Sequence, residues 1–461
     1  MSEETWHAAR LIPTSGINGP EEQERRGTSA LLAVLVAVKE FGRGITGRLG
    51  APAGTVECYI EVPFILGDKR LYPDGLIRVR RGAKSWTALV EVKTGSNNLQ
   101  SDQLEAYLDV AKEQGFDALL TISNELPAVP GTHPTTLDKR KLKKVAVHHL
   151  PWSEILAEAQ VQKTHRGVAD PDQAWILGEL IRYLEHPRSG ALEFNDMGPS
   201  WVGVRESVSA GTLRAADKAA ADVAGRWDSL IRFASLQLGK DVGTEVTPAL
   251  SRKELADPAA RNQAVVSGLV TGGRMEGGIR IPGAIGTLAI VADLRAGQIS
   301  ASVDVDAPKE GRPTTRVNWL VRQLKDAPDG LRIDATAAYS RGSTSALLKD
   351  VRADPSVLVS DPSKELRSFR VTLTVPMGTK RGLGRGAFIT SVLELVDVFY
   401  GDVVQKLKAW SARPPKLREP SPDEISEPGV ARALVSTALS SQDGVATDTP
   451  PAEAAAGSAQ G

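Results

Sequence analysis

The side chains best placed by type and spacing to do chemistry are Asp74, Glu91 and Lys93. Asp74 stands at the head of a β-branched stretch, Gly75 to Arg80. Glu91 and Lys93 sit two apart at the end of another, Trp86 to Val92. Side chains two apart on a strand share a face. The flanking Leu89, Val90 and Val92 are apolar, so this strand is expected to be buried. A carboxylate taken out of water costs several kcal/mol unless something compensates it. One lysine does not balance two carboxylates, so the pattern calls for a further cation. An all-oxygen donor set favours Mg²⁺ over zinc, with Mn²⁺ as an alternative. Such an ion lowers the pKa of a water and stabilises charge on a phosphoryl oxygen. Lys93 would then orient the water or stabilise charge on phosphorus.

These residues must be carried by a definite set of elements. Pro20, followed by Glu21, Glu22 and Glu24, reads as a first helical turn. The spacing predicts a helix from there to about Phe41, then a glycine-rich connection through Gly42, Gly44, Gly47 and Gly50. Strands are expected over Thr55 to Phe64, Gly75 to Arg80 and Trp86 to Val92. Leu99, Leu104, Leu108 and Ala111 make an apolar stripe on a helix from Asn98 to Gln114. Ala118 to Ser123 and Lys143 to Leu150 read as two further strands, with Ser153 capping a helix to Ala159. This order suits an α/β domain, a mixed sheet flanked by helices.

With the elements in place, the residues resemble the PD-(D/E)XK nuclease superfamily. Pro73-Asp74 supplies the first half of its motif, and Glu91-Val92-Lys93, the one Asp/Glu-x-Lys triplet in the chain, supplies the second. Gln103 and Tyr107 look like the Gln-x-x-x-Tyr element of the RecB-like branch; at i and i+4 they share a helix face. The resemblance covers residues 20–160. It implies a restriction-endonuclease-like fold and Mg²⁺-dependent cleavage of phosphodiester bonds, DNA being the favoured substrate and defence or repair the setting. In this reading Asp74, Glu91, Lys93, Gln103 and Tyr107 are catalytic, and Asp74 and Glu91 hold the metal. Many members add an acidic residue from the first helix. Glu24, in line with Leu31 and Val38, is the candidate here. Glu21 stays in contention and Glu61 is a weaker alternative; helix-dipole complementation explains these acids equally well. The upstream histidine common in the RecB-like branch has only His7 to stand for it.

Other signals are less specific. Lys139, Arg140 and Lys141, continued by Lys143 and Lys144, form a basic run able to grip nucleic-acid phosphates; a solvated loop is the plainer reading. His148 and His149 are adjacent, so one is expected in the core and one at the surface. Lys380, Arg381 and Arg385 among glycines 378–386 could cradle phosphate, or form a surface loop. Arg316, Trp319 and Arg322 could stack on bases, or pack through Trp319.

The 461 residues are too many for one ordinary core. Lys+Arg and Asp+Glu balance at 56 each, so any nucleic-acid-binding surface has to be local. Cys58 is the lone cysteine, which rules out an intrachain disulfide and any multi-cysteine zinc site. No signal peptide or membrane-length apolar run is read, and the expected location is the cytoplasm, away from any membrane. The organisation expected is an irregular segment 1–19, a nuclease-like domain 20–160, a helical connector 161–243, an α+β domain 244–410 and a disordered tail 411–461. The α+β domain would select substrate or build a homo-oligomer. The competing expectation is a catalytically inactive nuclease fold that binds nucleic acid or protein.

Overall fold

In a computed structural model, Ile12 and residues 19–60, 62–191 and 194–412 are described. The expected irregular N-terminus, His7, Glu61 and the expected disordered tail lie outside them, apart from Ile12, Gly19 and the tail's first two residues.

The first helix, α1 (Pro20–Ala37), begins with proline and has Glu21 and Glu22 in its first turn. It stops short of the expected end. Val38 is extended (φ −104°, ψ 96°), and a second helix, α2 (Lys39–Arg48), starts at once. Of the glycines read as a connection, Gly42, Gly44 and Gly47 are therefore helical, and Gly50 lies in the turn after α2. At Gly42 a Cβ would stand 2.1 Å from the Leu35 carbonyl oxygen, so glycine is what lets the two helices meet at this angle.

Next come β1 (Thr55–Ile60), a small hairpin of β2 (Phe64–Leu66) and β3 (Lys69–Leu71), then β4 (Gly75–Arg81) and β5 (Lys84–Val92). They are followed by α3 (Ser101–Gln114), β6 (Ala118–Ser123), β7 (Ala146–Pro151) and α4 (Trp152–Val161). The main strands form a five-stranded mixed sheet in the order β1-β4-β5-β6-β7. The first three pair antiparallel, and β5-β6 and β6-β7 pair parallel. Leu76, Leu89 and Leu119 turn to one face, against α3. Ile77, Val90, Leu120 and Ile122 turn to the other, against α1, α2 and α4. Period-2 burial on both faces is what makes β5 nearly continuous in apolar residues.

The expected connector divides between two cores. Helix α5 (Pro171–Leu184) packs Leu177, Leu180 and Tyr183 into the first core. Helices α6 (Trp201–Ser209) and α7 (Lys218–Val242) pack into the second. That second core underlies an antiparallel sheet. Its elements are β8 (Thr247–Pro248), α8 (Arg252–Ala256), α9 (Pro258–Gly272), β9 (Arg274–Arg280), β10 (Leu288–Asp293) and β11 (Gln298–Asp306). They continue with α10 (Pro313–Gln323), β12 (Arg332–Ala337), β13 (Ser343–Leu347), α11 (Leu348–Ala353), β14 (Leu366–Pro376) and α12 (Phe388–Asp402). The seven strands run β13-β12-β14-β11-β10-β9-β8. Thus the chain is mixed α/β with a helix-flanked mixed sheet, followed by an antiparallel-sheet region. Among the described residues, no helix is long and apolar enough to cross a membrane.

Candidate active site

The pairing of β4 with β5 brings the two motif halves together. Gly75 lies opposite Val90, and Leu76 opposite Leu89. One step further along the ladder, Asp74 faces Glu91. The amide of Val92 donates to Asp74 Oδ2 at 2.8 Å, which fixes that carboxylate against the strand end. The chain beyond β5 is held from two sides: Lys93 N–H donates to the Ile122 carbonyl at 2.7 Å, and the Trp152 indole donates to the Lys93 carbonyl at 3.0 Å.

Lys93 Nζ lies 2.9 Å from Glu24 Oε1 on α1 and 2.7 Å from Glu91 Oε1, and it also donates to the Val92 carbonyl at 3.1 Å. The contact with Glu91 is an ion pair by distance, but it is not aligned as a hydrogen bond; both Glu91 oxygens are buried without a hydrogen-bond donor. Glu91 is 1 % exposed. Burial, and then the charge of Asp74 beside it, push its carboxyl up to about 8. Asp74 is also held above the ordinary aspartate value, by burial opposed by the Val92 amide. Burial pulls Lys93 down, but Glu91 and Glu24 outweigh it and hold the ammonium above its ordinary value.

Gln103 and Tyr107 reach the same end of the sheet from α3. Gln103 Nε2 donates to the Tyr107 hydroxyl at 3.1 Å, and Tyr107 donates to the Tyr72 carbonyl at 3.1 Å, two residues before Asp74. Burial, followed by the nearby Glu91 charge, raises the Tyr107 phenol above its ordinary value. An open cleft lined by Glu21, Glu24, Arg25, Thr28, Ile60 and Asp74 gives access from the α1 side.

Asp74, Glu91, Lys93, Glu24, Gln103 and Tyr107 are therefore gathered at one strand end. The basic run is not. Lys141 is taken up by Asp109 at 2.8 Å and Glu105 at 3.5 Å, and Arg140 pairs with Asp138. Glu105 and Asp109 lie two positions from Gln103 and Tyr107, which puts them on the opposite side of α3. Lys139 is exposed. His148 and His149 are both half-buried rather than split between core and surface, because β7 is an edge strand. His149 bonds the Thr121 hydroxyl at 3.0 Å and the Glu125 carbonyl at 2.8 Å. Arg316 is buried and occupied by the carbonyls of Gly311, Leu366 and Lys309, which removes it from any base-stacking role. In the glycine-rich loop, the amides of Thr379, Lys380 and Phe388 are bonded within the loop and do not point at a ligand.

Sequence reasoning missed the clamp behind Lys93. Gly95 N–H donates to the Gly190 carbonyl at 2.8 Å, and the Asn124 carboxamide donates to both the Gly95 and Gly190 carbonyls. Gly190 has φ +78°, and a Cβ there would meet Thr94 Cβ at 2.8 Å. The Ser189-Gly190 turn lies far down the chain from Thr94, and only the positive φ could have marked it.

The donor set suits a hard divalent cation in type and in charge. Three carboxylates, Glu24, Asp74 and Glu91, face one ammonium, and the most buried of them has no aligned donor. Among the described residues no group of three or more His, Cys, Asp or Glu side chains is placed to hold a metal ion; Lys93 stands between Glu24 and Glu91. Comparison with protein-family models, curated proteins and solved structures returned no match.

Proposed function

We propose that the chain is a metal-dependent nuclease of the PD-(D/E)XK type that hydrolyses phosphodiester bonds, with DNA as the favoured substrate and Mg²⁺ or Mn²⁺ as cofactor. One observation carries this reading: the carboxyl groups of Glu24, Asp74 and Glu91 gather with Lys93 at the end of two central strands, open to a cleft. The mixed sheet flanked by helices is the kind of scaffold that the motif resemblance requires.

Asp74 and Glu91 would hold the ion, with Glu24 as a third acidic ligand. When bound, a hard divalent ion supplies Lewis-acid stabilisation at a phosphoryl oxygen and activation of a water. Lys93, whose ammonium Glu91 and Glu24 hold above its ordinary value, would donate hydrogen bonds to charge developing on the phosphate. Tyr107 stays neutral and, with Gln103, fixes the Tyr72-Pro73-Asp74 segment. Water oxygen becomes bonded to phosphorus as the sugar oxygen leaves and takes a proton. The second sheet region would select the substrate or join copies of the chain.

The test is incubation with plasmid, linear duplex, single-stranded DNA and RNA in Mg²⁺ or Mn²⁺, beside Asp74→Ala and Lys93→Ala. Loss of a transition-state charge partner costs on the order of 10²–10³ in rate. Equal behaviour of wild type and both variants would sink the enzyme reading. A non-catalytic nucleic-acid- or protein-binding module is the second reading, favoured by Lys93 filling the space between Glu24 and Glu91. In that case the wild type takes up no Mn²⁺.

A further inference from the structure

The β2-β3 hairpin stands beside the site, and nothing in the reading above uses it. Phe64, Leu66 and Leu71 anchor it on the α3 side of the sheet, with Phe64 edge-on to Phe116 at 5.8 Å. Opposite parity turns Ile65 and its cross-strand partner Arg70 outward. Ile65 is 70 % exposed and Tyr72 52 % exposed. The Arg70 guanidinium lies over the Tyr72 ring, 5.4 Å from its centroid. Among the described residues, neither Lys69 nor Arg70 has a carboxylate at ion-pair distance. The hairpin thus presents an exposed aromatic ring with Arg70 over one face, beside Lys69, which has no carboxylate partner among the described residues.

Its position gives this pairing a purpose. Tyr72 is two residues from Asp74, a span of at most about 7 Å of extended chain. Pro73 between them is buried, and the Tyr72 carbonyl is held by Tyr107. The ring is therefore mounted on the same fixed segment as the acidic ligand.

We propose that this hairpin is a strand-binding wing. An unpaired nucleobase stacks on Tyr72, and Arg70 and Lys69 hold the adjoining phosphates. The ligand class is single-stranded nucleic acid, or a duplex end or distortion that frees a base next to the cleavage position. Base–aromatic stacking is tolerant of sequence, whereas a base inside a duplex keeps its faces covered by its neighbours. The proposal rests on the nuclease reading for where the strand is cut, but binding is measured without it.

The experiment uses the full chain in EDTA and follows the anisotropy of labelled single-stranded DNA, single-stranded RNA and duplex DNA. Wild type should prefer single strands, and the tighter of the DNA and RNA probes identifies the source of the strand. Tyr72→Ala should weaken single-strand binding roughly 5- to 100-fold and leave duplex binding unchanged. Tyr72→Trp should retain it. Arg70→Ala should weaken binding and lower the salt dependence by about one phosphate contact. The Tyr107 bond is to the Tyr72 main chain, so it survives all three substitutions; unchanged melting temperatures would verify this. Wild-type affinity in Tyr72→Ala, equal losses on duplex, or no single-strand binding by the wild type would each overturn the wing. Cleavage is scored in parallel with Mg²⁺ or Mn²⁺. A wild type that binds through Tyr72 but never cuts removes the nuclease reading and keeps the wing. A Tyr72→Ala variant that binds and cuts like the wild type does the reverse.

Discussion

Glu91→Gln should stabilise the metal-free protein, and the gain should grow with pH. The Glu91 carboxyl titrates at about 8 in the folded chain against an ordinary 4.5. Across that window the folded chain keeps a proton that the unfolded chain has released. The unfolded state binds fewer protons, so stability falls as pH rises from about 4.5 to about 8, by up to about 1.4 kcal/mol per pH unit. Glutamine has no such proton to lose and leaves Lys93 its pairing with Glu24. Between about pH 5.5 and pH 8 the variant should gain about 3 kcal/mol on the wild type, or roughly 3–5 °C in melting temperature for a folded unit of this size. Thermal melts followed by circular dichroism in EDTA, at closely spaced pH values, measure this. A gap between the two proteins that does not change with pH would refute the account of Glu91 as a buried, donor-starved carboxyl.

The same proton should compete with the metal. Calorimetric Mn²⁺ affinity of the wild type should weaken about tenfold for each pH unit below about 8, since only the carboxylate can ligate; a flat profile would remove Glu91 from the ligand set. Gly190→Ala forces a left-handed backbone and a Cβ against Thr94, at a cost of about 1–3 kcal/mol. It should lower the melting temperature and slow cleavage at saturating substrate, whereas retained rate would mean that the Gly95-Gly190 contact does not position Lys93. Trp152→Phe removes the donor to the Lys93 carbonyl, leaving it unsatisfied at about 1–3 kcal/mol; unchanged stability in a denaturant titration would show that another group takes its place.

How much of this was legible in the sequence depended on whether the signal was local. Strands β4 to β6 announced themselves as short β-branched or apolar runs bounded by turn residues, and helix α3 by its period-3.6 apolar stripe. The convergence of Asp74 with Glu91 followed from strand order. Contact of Glu24 with Lys93 followed from a seven-residue repeat along α1. The α1-α2 break did not, since Gly42 reads as a loop residue until the Leu35 carbonyl is seen pressed against it. The β2-β3 hairpin went unread: only its first residue, Phe64, fell inside the strand expected over Thr55 to Phe64, whereas β1 ends at Ile60. Lys141 looked like a phosphate ligand because its neutralisers, Glu105 and Asp109, lie a whole helix away in sequence.

The connection between β6 and β7 also ties the two cores to each other. Ser229 and Arg232 on α7 donate to the carbonyls of Leu126 and Pro127, and Arg232 pairs with Glu154 on α4 at 2.6 Å. Glu158 on the same helix is shared by Arg48 and Arg166. A fragment ending near residue 160 would leave Glu154 only its longer contact with Arg48 and lose Leu177, Leu180 and Tyr183 from the first core. The half that carries Asp74, Glu91 and Lys93 is thus not a detachable cassette. Expression boundaries drawn from the motif alone would give an insoluble fragment, and a lack of activity in it would say nothing about the intact chain.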